Sequence, residues 1–161
     1  IKAVINLHQA GKKVSLDIYG AGGEEKKLKK IIDESKAESY IELKGLTHHA
    51  DQVYPKYDAF VSASFSEGFG LTYIEALNAG LPVVTFKARF GAMEMIEDGV
   101  NGFLMDFKRE DTDYNVSQLE VGIEKLMNTD IATMEDAILQ SVDKFRDSVI
   151  ADKWRKLIDE L

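Results

Sequence analysis

Apolar residues at Ile1, Val4, Ile5 and Leu7 recur at helical spacing and predict a buried helix that ends near Gly11. Val14 to Tyr19 alternates apolar and polar as a strand does, and Gly20-Ala21-Gly22-Gly23 turns the chain. A charged helix carrying Leu28, Ile31 and Ile32 on one face follows, then a short strand near Tyr40 to Leu43, stopped by Gly45. Ala50 to Tyr57 reads as helical and leads into a strand over Asp58 to Ser62. The next helix runs from about Gly70 to Asn78, with Gly80 at its end, and Pro82 to Phe86 and Gly102 to Met105 read as two more strands. Strands alternating with helices at this spacing predict an α/β fold: a Rossmann-like parallel sheet with helices on both faces and ligands at the carboxyl ends of its strands.

Beyond the last strand the period is helical throughout. Leu119, Ile123 and Leu126, then Ile138, Val142 and Phe145, then Ile150, Trp154, Leu157, Ile158 and Leu161 are expected to cover the sheet. Trp154, with apolar neighbours one and two turns away, is expected in the core rather than as an exposed stacking platform.

Composition narrows the function classes. The 161 residues suit a single domain, and with 45% of them hydrophobic there is enough apolar surface for an α/β core. A net charge of −8 argues against nonspecific nucleic-acid binding. The run Lys26, Lys27, Lys29 and Lys30 lies beside Glu24 and Glu25 and reads as a solvated helix face. No apolar run approaches the ~20 residues of a membrane span, and no signal-peptide pattern is present. Without cysteine there is no disulfide or thiolate chemistry, which is compatible with the cytoplasm.

The chemistry concentrates in Ser62 to Val84. A strand ends, a glycine-rich turn carries the carboxylate of Glu67, and a helix starts close to Gly70. Gly68 and Gly70 let backbone approach a ligand without Cβ interference. The amides of Gly70, Leu71 and Thr72 lie where intrahelical acceptors are lacking and the helix dipole is positive, a place suited to a diphosphate. Glu75 lies further along the same helix, and its side chain leans back toward the helix start. Two carboxylates so placed bracket a phosphate without contacting it and accept hydrogen bonds from hydroxyls on either side. Taken singly, Glu67 also reads as a helix-start residue favoured by the dipole, and Glu75 as a solvated helix residue.

Glu67-Gly68-Phe69-Gly70-Leu71-Thr72-Tyr73-Ile74-Glu75, followed by Ala76-Leu77 and Gly80-Leu81-Pro82-Val83-Val84, resembles the Glu-x7-Glu motif of the family 4 (group 1) retaining glycosyltransferases of GT-B fold. The similarity extends through Val14 to Gly22 upstream and Ile96 to Leu104 downstream. The resemblance implies the carboxy-terminal, donor-binding domain of such an enzyme. Glu67 would then contact the donor sugar near its reacting face. The stretch Gly68, Phe69, Gly70, Leu71 and Thr72 would hold the diphosphate, chiefly through the last three amides. Glu75 would bind the ribose, and Gly45, Leu46 and Thr47 would border the base. Where many relatives have Gly-Gly-x-Pro-Glu, this chain has Phe90-Gly91-Ala92-Met93-Glu94. Arg89-Phe90-Gly91 is similar to the Arg-Tyr-Gly or Lys-Tyr-Gly of transferases that glucosylate teichoic acids or add N-acetylglucosamine to Ser-rich adhesins.

On this resemblance residues 1–161 form one domain of a longer two-domain protein. The family's first, central strand and its basic loop would precede Ile1, and acceptor recognition would fall to an amino-terminal domain. The implied function is transfer of a hexosyl unit from a nucleotide-sugar, a UDP-sugar first, to a hydroxyl acceptor with retention. The donor is a substrate, and no cofactor or metal is expected. The partners implied are an acceptor glycan, a teichoic-acid polymer or a glycoprotein, with no nucleic acid. The expected location is cytoplasmic, at the inner membrane face if the remainder of the protein associates with it. Two alternatives are weighed against it: a non-catalytic partner subunit that binds an acceptor protein, which has no need of both glutamates, and a sugar-nucleotide epimerase, which the Glu-x7-Glu spacing disfavours.

Other signals carry less. Gly20-Ala21-Gly22 approaches a dinucleotide fingerprint, but Glu25 stands at its third glycine, where its charge would face a pyrophosphate. Asp111-Thr112-Asp113 matches an Asp-x-Asp metal motif, yet it precedes a helix and reads as helix-start acidity. His48-His49 has no partner at ligand spacing, and no Ser-His-Asp arrangement follows from His8, His48 and His49.

Overall fold

In the computed structural model, which describes residues 1–160, strands and helices alternate until a helical tail begins. Strand β1 (Leu16–Tyr19) crosses through helix α2 (Glu25–Glu34) to the parallel strand β2 (Ile41–Gly45). Strands β3 (Phe60–Val61), β4 (Val83–Phe86) and β5 (Gly102–Met105) pair in parallel in that order, and helices α4 (Leu71–Asn78) and α5 (Gly91–Met95) lie on the two crossovers. Between β2 and β3 the chain forms the short helix α3 (Ala50–Val53) and a 3-10 turn, Tyr54–Lys56.

Every pairing is parallel, as the sequence predicts, but the single expected sheet is two sheets, because β1 and β3 each keep an edge that no strand among the described residues covers. Their side chains nonetheless share a core. Leu16 and Ile18 of β1 and Val61 of β3 join Val4, Ile5 and Leu7 of helix α1 (Lys2–Gln9), Val84 and Phe86, and Ile123 and Leu126 of helix α6 (Thr112–Met127). Val83 points the other way, into a second cluster with Tyr73, Ala76 and Leu77 of α4 and Ile138 of helix α7 (Glu135–Ser141). All four residues of β4 are therefore buried, the mark of a strand covered on both faces. Each such Val or Phe contributes about 1.5–3 kcal/mol by leaving water.

Local chemistry moves several boundaries. Gly45 is the last residue of β2 rather than its stop. The stretch Ala50 to Tyr57 is not one helix, because Pro55 supplies no amide and the chain tightens to a 3-10 turn at Tyr54. Helix α5 occupies a segment for which the sequence pattern predicts no element; Asn101, buried behind it, donates to the Met95 carbonyl (2.9 Å) and accepts from the Glu97 amide (2.8 Å). Asp111 caps α6 by accepting from the Tyr114 amide at 3.0 Å, in keeping with helix-start acidity.

The expectation that Trp154 is core is wrong. Helix α8 (Asp147–Asp159) packs chiefly against the 3-10 turn before it, Asp143–Phe145, and leaves Trp154 60% exposed with Leu157 and Ile158 beside it. Helical spacing reports an apolar face and says nothing of what covers it. Leu161 lies outside the described residues.

Candidate functional site

The segment from Ser62 to Glu75 is fixed from beneath before it offers anything to a ligand. Tyr73 is fully buried, and its hydroxyl donates to Ser62 Oγ (3.2 Å) and lies 3.1 Å from Thr85 Oγ1, tying α4 to the carboxyl ends of β3 and β4. Phe65 stacks on Phe86 and Phe107, with centroids 5.6 and 5.3 Å away. The loop is thus anchored at both ends by aromatic rings.

Glu67 is held through its backbone. Its amide donates to the Arg89 carbonyl (3.1 Å) and its carbonyl accepts from the Phe90 amide (2.8 Å), a bridge joining the glycine-rich turn to the loop after β4. Gly91 makes that contact possible: a Cβ there would sit 1.9 Å from the Phe69 carbonyl oxygen. The side chain of Glu67 is half-buried, while Gly68 and Phe69 are exposed. Phe69 meets Phe145 edge-on at 5.8 Å.

Gly70 stands at the N-cap of α4 with φ 84° and ψ 55°, left-handed geometry that glycine adopts without penalty. None of the amides of Gly70, Leu71 and Thr72 donates to a backbone carbonyl, whereas the Tyr73 amide closes the first turn on Gly70. Leu71 and Thr72 are exposed at this helix start. Three free donors at the positive end of a helix dipole suit an anion.

Glu75 is exposed one turn further along α4 and accepts a hydrogen bond at Oε2 from the Tyr54 hydroxyl (3.2 Å). Burial pushes the Tyr54 phenol up to about 12, helped by the charge and hydrogen bond of Glu75. Tyr57, on the same turn, donates to Asp17 Oδ2 (2.6 Å) and lies 2.7 Å from the Tyr19 hydroxyl; burial, then these hydrogen bonds, raise its phenol pKa well above the usual value. Asp17 is also paired with Lys44 at 3.4 Å.

The structure joins Glu67 to Glu75 in one unit with Arg89 to Gly91 and leaves Gly45 to Thr47 on the neighbouring sheet. Gly45 lines a cleft of about 250 Å³ with Tyr19, Gly20, Gly22 and Leu28 at the carboxyl ends of β1 and β2. Leu46 is 70% exposed, and Thr47 Oγ1 accepts from the His49 amide. Neither Glu67 nor Glu75 lines this cleft or a second one beside α5 and α7. Tyr54 and Gly91 are absent from the sequence-based site. Glu75 and Tyr54 stand 21 residues apart, and no local pattern pairs them.

Among the described residues no group of three or more His, Asp or Glu side chains is gathered to hold a metal ion, and His8 stacks on Tyr40 with centroids 3.6 Å apart. No helix among them is long and apolar enough to cross a membrane.

Residues 1–137 match the family profile described as glycosyl transferases group 1. Over its whole length the chain is 36% identical to the UDP-N-acetylglucosamine–peptide N-acetylglucosaminyltransferase GtfA subunit of Streptococcus pneumoniae, 32% of which it covers. It is 38% identical over 112 residues to the poly(glycerol-phosphate) alpha-glucosyltransferase of Bacillus subtilis, a match spanning 70% of this chain and 16% of that protein. The crystal structure of the pneumococcal O-GlcNAc transferase GtfA in complex with UDP and GlcNAc superimposes with a TM-score of 0.89 at 37% identity, covering 99% of this chain and 32% of that one. The chain spans about a third or less of the length of these relatives.

Proposed function

This chain belongs to the group 1 glycosyl transferases, and from that premise we propose that it is the donor-binding domain of a longer enzyme of GT-B architecture, transferring a hexosyl unit from a UDP-sugar to a hydroxyl acceptor with retention. The observation that carries the reading is the run of three free amides at Gly70, Leu71 and Thr72, between a clamped Glu67 and an exposed Glu75. The diphosphate lies across the amides, and Glu75 accepts from ribose hydroxyls on one side. Glu67 orients the sugar on the other, and Gly45 to Thr47 border the base.

In the step itself the bond from the anomeric carbon to the diphosphate oxygen breaks, and the electron pair leaves with the diphosphate. The acceptor oxygen bonds that carbon on the same face, and its proton passes to the departing diphosphate oxygen. Charge grows on the diphosphate as the sugar becomes oxocarbenium-like, so donors aimed at the leaving group stabilise the transition state more than the ground state. No metal is assigned to this step, because the helix start supplies positive potential where charge develops.

The relatives' names place N-acetylglucosamine on a peptide in one case and glucose on poly(glycerol phosphate) in another. A hydroxyl on a protein or on a polyol-phosphate polymer is accordingly the acceptor class proposed, recognised mainly by a part of the enzyme outside this chain. A panel of UDP-, GDP- and ADP-sugars, read by thermal shift and by turnover on the intact protein, tests the assignment. UDP-N-acetylglucosamine or UDP-glucose should stabilise the protein and be consumed; stabilisation by none of the donors overturns it.

A further inference from the structure

We propose that Tyr54 is a positioning residue for Glu75: its hydroxyl holds Oε2 of the carboxylate and leaves Oε1 to accept from the vicinal hydroxyls of a bound ribose. The inference rests on the reading of Glu75 as the ribose acceptor.

An exposed glutamate on a helix loses several rotamers' worth of freedom when a ligand fixes it, and that loss weakens binding. A donor already fixed in the protein removes part of the loss. Tyr54 is built as such a donor. It opens the 3-10 turn Tyr54–Lys56, which Pro55 sets and which the Tyr57 amide closes on the Tyr54 carbonyl at 3.1 Å. Its ring meets Phe60 edge-on at 5.9 Å, and Phe60 meets the buried Tyr73 edge-on at 6.2 Å. Tyr73 is in turn held by Ser62 and Thr85. From the other end of the turn Tyr57 donates to Asp17 on β1. The turn is therefore tied to both sheets, and the phenol oxygen has little freedom to follow a moving carboxylate.

Geometry also selects the acceptor. The phenol has one proton and two oxygens near it, Glu75 Oε2 at 3.2 Å and the Thr72 carbonyl at 3.5 Å. The second lies at the limit of a hydrogen bond, and the carboxylate is the stronger acceptor. Because the phenol pKa stands at about 12, the group remains a neutral donor throughout the physiological range. A carboxylate has acceptor capacity for the phenol and for a diol at once. An amide at position 75 would have a single oxygen for both.

The test is calorimetric binding of UDP and of 2′,3′-dideoxy-UDP to the intact protein carrying Tyr54→Phe, Glu75→Ala or both, together with steady-state kinetics. Tyr54→Phe should weaken UDP about ten-fold and raise the donor KM by a similar factor, with kcat within about two-fold of the parent. The penalty should vanish with the dideoxy nucleotide and in the Glu75→Ala background, because a residue that acts through Glu75 and the ribose has nothing left to act on. Equal losses on both nucleotides, or additivity with Glu75→Ala, overturn the inference. So does a Tyr54→Phe protein that binds UDP like the parent while Glu75→Ala binds it weakly. If Glu75→Ala itself binds UDP normally, the ribose reading of Glu75 fails, and the inference fails with it.

Discussion

Glu67 and Glu75 differ in how the protein holds them, and the difference fixes what their substitution should do. The backbone of Glu67 is bonded on both sides to the loop after β4, while Glu75 sits on an exposed helix face with one side-chain donor. If Glu75 holds ribose hydroxyls equally in ground and transition states, Glu75→Gln should raise the donor KM and spare kcat. Glu67→Gln, beside the reacting sugar, should chiefly lower kcat. Each loss should amount to about 1.5–3 kcal/mol, the worth of a hydrogen bond to a charged group, and steady-state kinetics on the intact protein separates the two. The Tyr54 phenol adds a pH dependence of definite sign. Its pKa is higher folded, about 12 against 10.0, so its contribution to stability is fully present below pH 10 and is lost as pH rises through about 12. Chemical denaturation between pH 9 and 12 should follow that loss, and Tyr54→Phe should make it shallower while leaving the share that the raised Tyr57 phenol contributes. Asp111 caps α6 and pairs loosely with Lys108 at 4.0 Å, both local to the helix start, so Asp111→Ala should cost about 1 kcal/mol of stability with transfer unaffected, and chelation should leave transfer intact too. Full loss of transfer on chelation, restored by Mg²⁺ or Mn²⁺, would sink the metal-free reading.

At the scale of elements, the glycines of the motif are not equivalent, though the sequence treats Gly68 and Gly70 alike. Gly70 has φ 84° and a Cβ there would press on the Tyr73 ring at 2.5 Å; Gly68 has open space around it and no positive φ. Gly91, outside the motif, is the most constrained of the three, because the atom it would strike is a backbone carbonyl. Gly91→Ala and Gly70→Ala should each cost about 1–3 kcal/mol, a fall in Tm of roughly 2–12 °C for a domain of this size, while Gly68→Ala should leave Tm within about 2 °C of the parent. Differential scanning calorimetry decides, and a large fall for Gly68→Ala would contradict the packing described. The same contrast marks what the sequence makes legible. Strands β1, β2, β4 and β5 and helices α4 and α6 follow from periodicity because their apolar faces meet a core within this chain. Helix α5 and the Glu67–Phe90 bridge depend on a contact between residues 23 positions apart, and local pattern carries no record of it. The Glu-x7-Glu segment was legible as a unit, while Tyr54 was hidden by sitting in what reads as an ordinary helix.

At the largest scale the decisive feature is that, among the described residues, the two sheets share no ladder hydrogen bond. What joins them is side-chain packing around α1 and α6 and the polar tie from Tyr57 to Asp17 and Tyr19. The sequence predicts the strands and their direction but not this division, since pairing depends on which edges lie together. The helical tail shows the same limit, for the period of Trp154 and its neighbours is read correctly and their burial is not. Because Trp154 is the only tryptophan, its fluorescence in this chain should be red-shifted and freely quenched by acrylamide, and Trp154→Ala should change stability by less than about 0.5 kcal/mol. A tie between two sheets has a signature that a bond within one sheet lacks. Tyr57→Phe removes a donor to a carboxylate and leaves Asp17 its pair with Lys44, so the cost should be about 1.5–3 kcal/mol, and it should fall unevenly. Strands β1 and β2 are held by that tie together with the packing of Leu16, Ile18 and Ile41 on one face, whereas β4 is covered on both faces without it. Native-state hydrogen exchange on Tyr57→Phe should therefore speed the amides of Leu16 to Tyr19 and Ile41 to Gly45 by ten-fold or more, while Val83 to Phe86 remain as protected as in the parent. Uniform acceleration across both sheets would mean that they open as one cooperative unit, and the polar tie would then be only one bond among many.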